Sequence, residues 1–331
     1  MNTELPTRYL FVKFKLDQGV FESTQSNTKL IDGSPNGLTM EVIYTKSSGM
    51  MITNATAVIY GMQNSDIRQL TKLQFRTGSY LPSNKIEIYA GYELNDDGLP
   101  PLVYSGQIYT AMVDRNNPSR PFKIFSQDLF AKGNTDLPNL EAKDTHLVKD
   151  LIKEILTNYK NSTGIELIYQ PLKINESLQV ENFSTSGSLA KQLDELTTQA
   201  GIQYKIDDPY LVVYNLNESP NTQELTISKY NGLLGYPTLE QFGISIRVRL
   251  NPSIRWGSKV KLLSFSDLNI SDGDVNIPNQ DLGIQDPYAD TLETLKSSEW
   301  WIHELTAVLQ NRGKVWEMKL MLNYFDPLGY V

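Results

Sequence analysis

Period-two alternation of apolar and polar residues recurs along most of this 331-residue chain and restricts its fold more than any other feature. In Gly243–Leu250, Ile244, Ile246, Val248 and Leu250 alternate with Ser245, Arg247 and Arg249, so one face of an extended strand is apolar and the other carries cations. Tyr9–Leu16 repeats the pattern, with Leu10, Val12, Phe14 and Leu16 set against Lys13 and Lys15. Leu38, Met40, Val42 and Tyr44 alternate, as do Ile86, Ile88, Ala90 and Tyr92, and Ala55–Tyr60 is β-branched and aromatic. The turn-rich run Asn95–Pro101 predicts a hairpin connection into Leu102–Thr110. One short helix is expected among these strands, capped by Ser65, with Ile67, Leu70 and Leu73 on one face. The first part therefore reads as a mostly antiparallel β domain ending near Phe130.

The period then changes. Ala131–Lys143 is polar, with a glycine and a proline, and reads as a linker. Leu147, Leu151, Ile155 and Tyr159 form an i, i+4 series beside Val148, Ile152 and Leu156, which predicts a helix capped by Asp144 or Thr145 and ended before Gly164. A second helix is signalled by Ser186–Ser188, by Leu189, Leu193 and Leu196, and by Gly201 as a left-handed stop. Strands Gln203–Ile206 and Tyr210–Asn215 follow, and Asn215–Gln223 reads as an exit linker. Strands return in the last third, where Val260 and Leu262 alternate with Lys259 and Lys261. A long hairpin closes the chain, Trp301–Gln310 returning as Val315–Asn323 with Trp316, Met318, Leu320 and Leu322 on one face. Asp267–Asp290 reads as a long polar loop. The expected boundaries are 1–132 for a first β domain, 140–222 for an α+β module and 223–331 for a second β domain. No repeat is visible in the residues, although the order β, α+β, β is compatible with an eroded duplication.

Composition excludes several classes of function. With 40% hydrophobic and 21% charged residues the chain has material for sizeable cores, but no run is long and apolar enough to span a bilayer. The start, MNTELPTRYL, lacks the basic-then-apolar pattern of a secretory signal. The absence of cysteine rules out disulfides, thiolate metal sites and cysteine nucleophiles. A formal charge of −8 argues against tight binding to a phosphate backbone.

Candidate chemical sites are few. Of two histidines, His146 sits near a helix start and reads as solvated, while His303 shares a strand register with Trp301 and Leu305 and reads as packed or interfacial. Neither completes a zinc spacing. Asp267–Asp274 supplies oxygen donors of the kind calcium prefers, but lacks the glycine and glutamate of an EF-hand loop. No pair of carboxylates stands out for glycosidase chemistry, and there is no P-loop and no GxGxxG. No catalytic residue, cofactor or metal ligand is therefore assigned. The cluster Arg247, Arg249, Arg255, Lys259 and Lys261 reverses the sign of an acidic chain, and reads either as a solvated face or as a subunit contact.

Leu233–Ser264 carries a family likeness. A gly–x–pro step at Gly235 and Pro237, a leu–x–pro turn at Leu250 and Pro252, and a gly–ser step at Gly257 and Ser258 resemble the baseplate hub proteins of phage tails, which include the late-control D proteins and the hub part of type VI secretion spikes. In this reading Pro237 and Pro252 break strand pairing at each end. Ala90-Gly91-Tyr92 with Tyr104-Ser105-Gly106, the helix at Thr145–Tyr159, the stretch Ser188–Tyr204 and the closing hairpin resemble other parts of that family in the same order.

The resemblance implies a mainly β fold with an α+β insertion, in which two tail-tube-like β-barrel domains flank the small module. It implies a homotrimer whose six β domains form a ring between the six-fold tail tube and the three-fold central spike. Tube protein, spike and other baseplate or wedge proteins would be partners, and DNA would pass through the lumen without specific binding. An acidic wall is expected to favour that passage. Expected contact residues are Arg247, Arg249, Arg255, Trp301, His303 and Trp316. The expected location is the virion tail, assembled in the host cytoplasm, and the chain's end at Val331 implies no fused lysozyme or spike domain. A carbohydrate- or receptor-binding module, for which 18 tyrosines and four tryptophans could supply stacking platforms, and a cell-wall hydrolase are the rival readings.

Overall fold

A computed structural model describes residues 6–17, 19–47, 53–71, 84–127, 136–164, 166–172, 174–207, 210–215, 224–228, 230–240, 243–262 and 300–324. The Asp267–Asp290 loop and its oxygen donors lie outside them, as do Leu73 and Phe130. Among the described residues no group of metal-ligating side chains gathers, and no helix is long and apolar enough to cross a membrane.

The first strands are β1 (Tyr9–Lys15), β2 (Thr28–Asp32), β3 (Met40–Ser47), β4 (Asn54–Ile59), β5 (Lys85–Gly91), β6 (Leu102–Val113) and β7 (Phe122–Gln127); β1, β3, β4, β5 and β6 lie where the sequence predicts strands, while β2 and β7 fall on residues that no pattern marked. Leu10, Val12, Phe14, Met40, Val42, Ile86, Ile88 and Ala90 are all buried in one core. The short helix α1 (Asn64–Leu70) begins one residue before Ser65, and its N-cap is Gln63, with no side-chain cap bond. It is held instead by buried Asp66, which pairs with Lys29 at 3.3 Å and accepts from Ser23 at 2.9 Å.

The central segment contains more strand than its sequence announced. The expected linker holds β8 (Asp136–Leu147), which pairs antiparallel with β10 (Gln179–Ser188). Two register shifts hide β8 from a period-two reading, because they space its buried residues irregularly at Leu137, Leu140 and Ala142. Asp144 sits at one shift in a left-handed conformation, φ 68°, and its N–H donates to Asn182. It therefore caps no helix. α2 (Val148–Thr163) starts at Val148 with Leu147 as N-cap, and ends at left-handed Gly164 as expected. α3 (Leu189–Ala200) is capped by the Ser188 hydroxyl and stopped by left-handed Gly201, both as the sequence indicates. β9 (Ile168–Leu172), β11 (Ile202–Asp207) and β12 (Tyr210–Asn215) make a three-stranded sheet. Leu151, Ile155, Phe183, Leu193 and Leu196 belong to a second core distinct from the first.

The remaining strands are β13 (Glu224–Ile227), β14 (Leu233–Glu240), β15 (Gly243–Arg249), β16 (Lys259–Leu262), β17 (Trp300–Gln310) and β18 (Trp316–Tyr324). They join the first set in one sheet of order β14-β15-β18-β17-β3-β4-β7-β6-β5-β1-β2, with β16 on β17 and β13 on β16. The order contains a repeat. Adding eleven to each label of β3-β4-β7-β6 gives β14-β15-β18-β17, every neighbour in both quartets is antiparallel, and β5 on β6 matches β16 on β17. Even the bulges coincide: β6 is irregular between Ile108 and Thr110, and β17 between Ile302 and Glu304. The flanks differ, since β1 meets β5 antiparallel whereas β13 meets β16 parallel.

Candidate assembly interface

The two quartets meet along β17 and β3, where Glu304–Gln310 runs antiparallel to Ser47–Glu41. Inward residues on both sides, Val42 and Tyr44 against Ala307 and Leu309, are buried in the shared core. On the opposite face the hydroxyls of Thr45 and Thr306 lie 3.1 Å apart. One end of this seam is closed by the β17–β18 turn. The Asn311 side chain accepts from the Met40 N–H at 2.9 Å and donates to the carbonyls of Gly33 and Leu38, both at 2.7 Å. Arg312 donates to the Gly37 carbonyl, and Arg8 donates to that of Gly313. Gly33 is required there for space: a Cβ would lie 2.4 Å from the Leu10 carbonyl oxygen and 2.1 Å from the Met40 methyl.

The predicted contact residues are divided among several places. Arg247 and Arg249 share the exposed face of β15, and Glu317 on β18 lies across from Arg249 and 3.7 Å from Arg247. Lys319, opposite Arg247, pairs with Glu240 at 3.3 Å. Lys259 and Lys261 are on β16, separated from β15 by two strands, so the five cations do not form one patch. Arg255 lines a cleft of about 260 Å³ with Lys46, Leu102, Tyr210 and Trp256. In that region the Lys205 ammonium lies 4.5 Å from the Trp256 ring centroid, bringing the central module against the main core.

The closing hairpin departs from its expected phase. The bulge after Ile302 inserts His303, so Leu305 turns into the core while Trp301 and His303 stay half-buried, edge to face at 5.6 Å. Burial holds the His303 imidazole below its usual pKa, Lys205 acts in the same direction and Glu304 opposes them. Trp316 lies inside this chain at 4% exposure, with the Arg8 guanidinium 5.7 Å from its ring and Tyr92 edge-on. Trp256 and Trp300 are buried as well, which leaves Trp301 as the one partly exposed tryptophan.

The motif residues acquire local reasons. Gly106 leaves room for the Tyr104 hydroxyl, which meets Ser126 at 2.9 Å, and a Cβ there would sit 2.3 Å from that oxygen. Pro237 falls within β14, at an irregularity between Leu234 and Thr238, rather than at a strand end. Pro252 does follow β15, and Gly257 is left-handed at φ 73°. Sequence reasoning missed the Asn311 staple, because an Asn-Arg-Gly turn signals only a hairpin. Its three partners lie more than 270 positions away.

Searching curated proteins by sequence gave no match. Among solved structures, the tail protein from Neisseria meningitidis MC58 superposes with a TM-score of 0.55 at 12% identity, covering 95% of this chain and 96% of that one. The 43 kDa tail protein of prophage MuSo2 from Shewanella oneidensis gives 0.51 at 9% identity, covering 96% of each. The E. coli c3393 protein, a type VI secretion component described as structurally similar to T4 tail proteins gp27 and gp5, gives 0.50 at 9%, covering 90% of this chain and 76% of that one. These likenesses show a tail-hub fold. The sequence model for Baseplate hub gp41 matches residues 12–274, most of the chain. The chain thus belongs to the Baseplate hub gp41 family, structural components of phage tails.

Proposed function

We propose that three copies of this chain close into a ring of six strand quartets, the baseplate hub that joins a six-fold tail tube to a three-fold spike. The observation that carries this reading is the repeated strand order, with β17 and β3 fusing two quartets into one sheet. A chain holding two equivalent units presents pseudo-six-fold symmetry to one neighbour and three-fold symmetry to another when three copies assemble. The two quartets correspond to the proposed β domains at 1–132 and 223–331, with the module at 140–222 outside the ring. Tail tube protein, central spike and wedge proteins are the proposed partners, assembly taking place in the host cytoplasm.

If the face away from the core lines the channel, its chemistry differs from the acidic wall expected from net charge. Thr45, Thr56, Thr306, Gln310 and Gln127 are interspersed with Glu41, Glu304, Arg247 and Arg249, and several charges are paired. A wall on which hydroxyls, amides and apolar side chains such as Ile43, Val58 and Val308 separate charges of both signs passes DNA by offering no continuous cationic track to hold phosphates. Native mass measurement of the full chain, alone and with tube and spike proteins, tests the ring. A trimer is expected; monomer under every condition would refute it.

A further inference from the structure

We propose that the cleft beside the β17–β18 turn is a docking site for an acidic loop of a protein partner, with Arg8, Arg312 and Lys314 receiving its carboxylates. The inference does not depend on how many copies assemble. The cleft, of about 780 Å³, opens between Pro6–Arg8, Pro35 and the Asn311–Lys314 turn. Three of its eight lining residues are cations and none is acidic, although acidic residues outnumber basic ones, 38 to 30, in the whole chain. Asp32 belongs to the loop that carries Pro35, but its carboxylate accepts from the Ser34 N–H at 2.7 Å and does not line the cleft. Among the described residues none of the three cations forms an ion pair: Arg8 and Arg312 contact carbonyls and a ring, and exposed Lys314 has no hydrogen-bond partner.

Like charges gathered in one cleft repel, and backbone carbonyls hold two of them there. Arg8 donates to the Gly313 carbonyl at 2.9 Å with its guanidinium 5.7 Å from the buried Trp316 ring, and Arg312 donates to the carbonyls of Gly37 and Pro35. A carbonyl orients a guanidinium without neutralising it, and each arginine keeps N–H groups beyond those used. Asn311, in contrast, turns its amide inward to Met40, Gly33 and Leu38. The cleft therefore presents two fixed guanidinium forks and one ammonium on a flexible stem, a donor set that suits carboxylates. Phosphates would meet the same donors, but three cations make a short track on a chain of net charge −8, whose field opposes a long polyanion. A protein loop bearing a few carboxylates matches that number, and the exposed prolines Pro6 and Pro35 give it an apolar rim to pack on.

The absence of cysteine allows a single reporter. Thr7, an uncharged lining residue, is replaced by Thr7→Cys in the full chain and labelled with an environment-sensitive dye, and hexaglutamate is titrated in at low salt. Saturable binding is expected, about threefold weaker in Lys314→Gln, which only removes a charge, and about tenfold or more weaker in Lys314→Glu, which reverses it. Melting temperatures should not change, since Lys314 ties nothing in the fold. The same titration with inorganic phosphate and with a short oligothymidylate separates the sources of anion. Absence of hexaglutamate binding, or binding that Lys314→Glu leaves within about twofold of the parent, overturns the site. Oligothymidylate bound more tightly than hexaglutamate, with the same loss in Lys314→Glu, overturns the protein partner in favour of nucleic acid. Inorganic phosphate bound as tightly as hexaglutamate also overturns it, because the cleft would then select no loop.

Discussion

Replacing Asn311 tests whether one turn fastens the two quartets. Its side chain makes three hydrogen bonds to the Met40 N–H and the Gly33 and Leu38 carbonyls, all partly buried. At a net value of about 1 kcal/mol each, plus the cost of leaving partners unsatisfied, Asn311→Ala should destabilise the seam by about 2–4 kcal/mol. Asn311→Asp is the sharper variant. It preserves shape and the acceptor for Met40, but places a carboxylate oxygen where the amide now donates to two carbonyls, and a charge facing two acceptors in a partly dry site is worse than a gap. A chain of this size need not unfold in one step, so the local readout is amide exchange at Met40 and Gln310, whose N–H groups lie at this end of the seam. A loss of 2–4 kcal/mol accelerates exchange by about 30- to 1,000-fold if opening is local. Exchange within threefold of the parent in Asn311→Ala, or an Asn311→Asp protein more stable than Asn311→Ala, would refute the assignment.

Two other perturbations follow from the same geometry. Gly33→Ala forces a methyl against the Leu10 carbonyl, which cannot swing away as the Met40 side chain can, and should cost about 1–3 kcal/mol in chemical denaturation; an unchanged midpoint would show that the loop relaxes freely. His303 has a folded pKa below its unfolded value because of burial, so the unfolded chain binds more protons as pH falls through about 6.5. Stability should decline with acidification from that point, and His303→Gln should flatten the decline; equal pH profiles for both proteins would remove His303 as its source.

The legibility of this protein divides along a physical line. Alternation marked which face of β1, β3, β5, β15 and β18 is buried, and Ser188, Gly164 and Gly201 marked helix limits, because burial and capping are decided by residues a few positions apart. The cations of Arg247 and Arg249 were readable as an exposed face for the same reason. Alternation carries no name for a strand's partner. It therefore could not show that Trp316 is covered by Arg8 and Tyr92, that β15 and β16 are two strands apart, or that Asn311 reaches Gly33. Bulges hid more: those in β8 disguised a strand as a linker, and the one at His303 reversed which residues of β17 face the core. What the sequence alone determined was a mainly β chain interrupted by an α+β segment. Only the tertiary structure decided that the outer parts share one sheet and repeat one strand order, since the shared sheet rests on the β17–β3 pairing of residues more than 250 positions apart, and every pairing in the order is made by backbone groups common to every residue type.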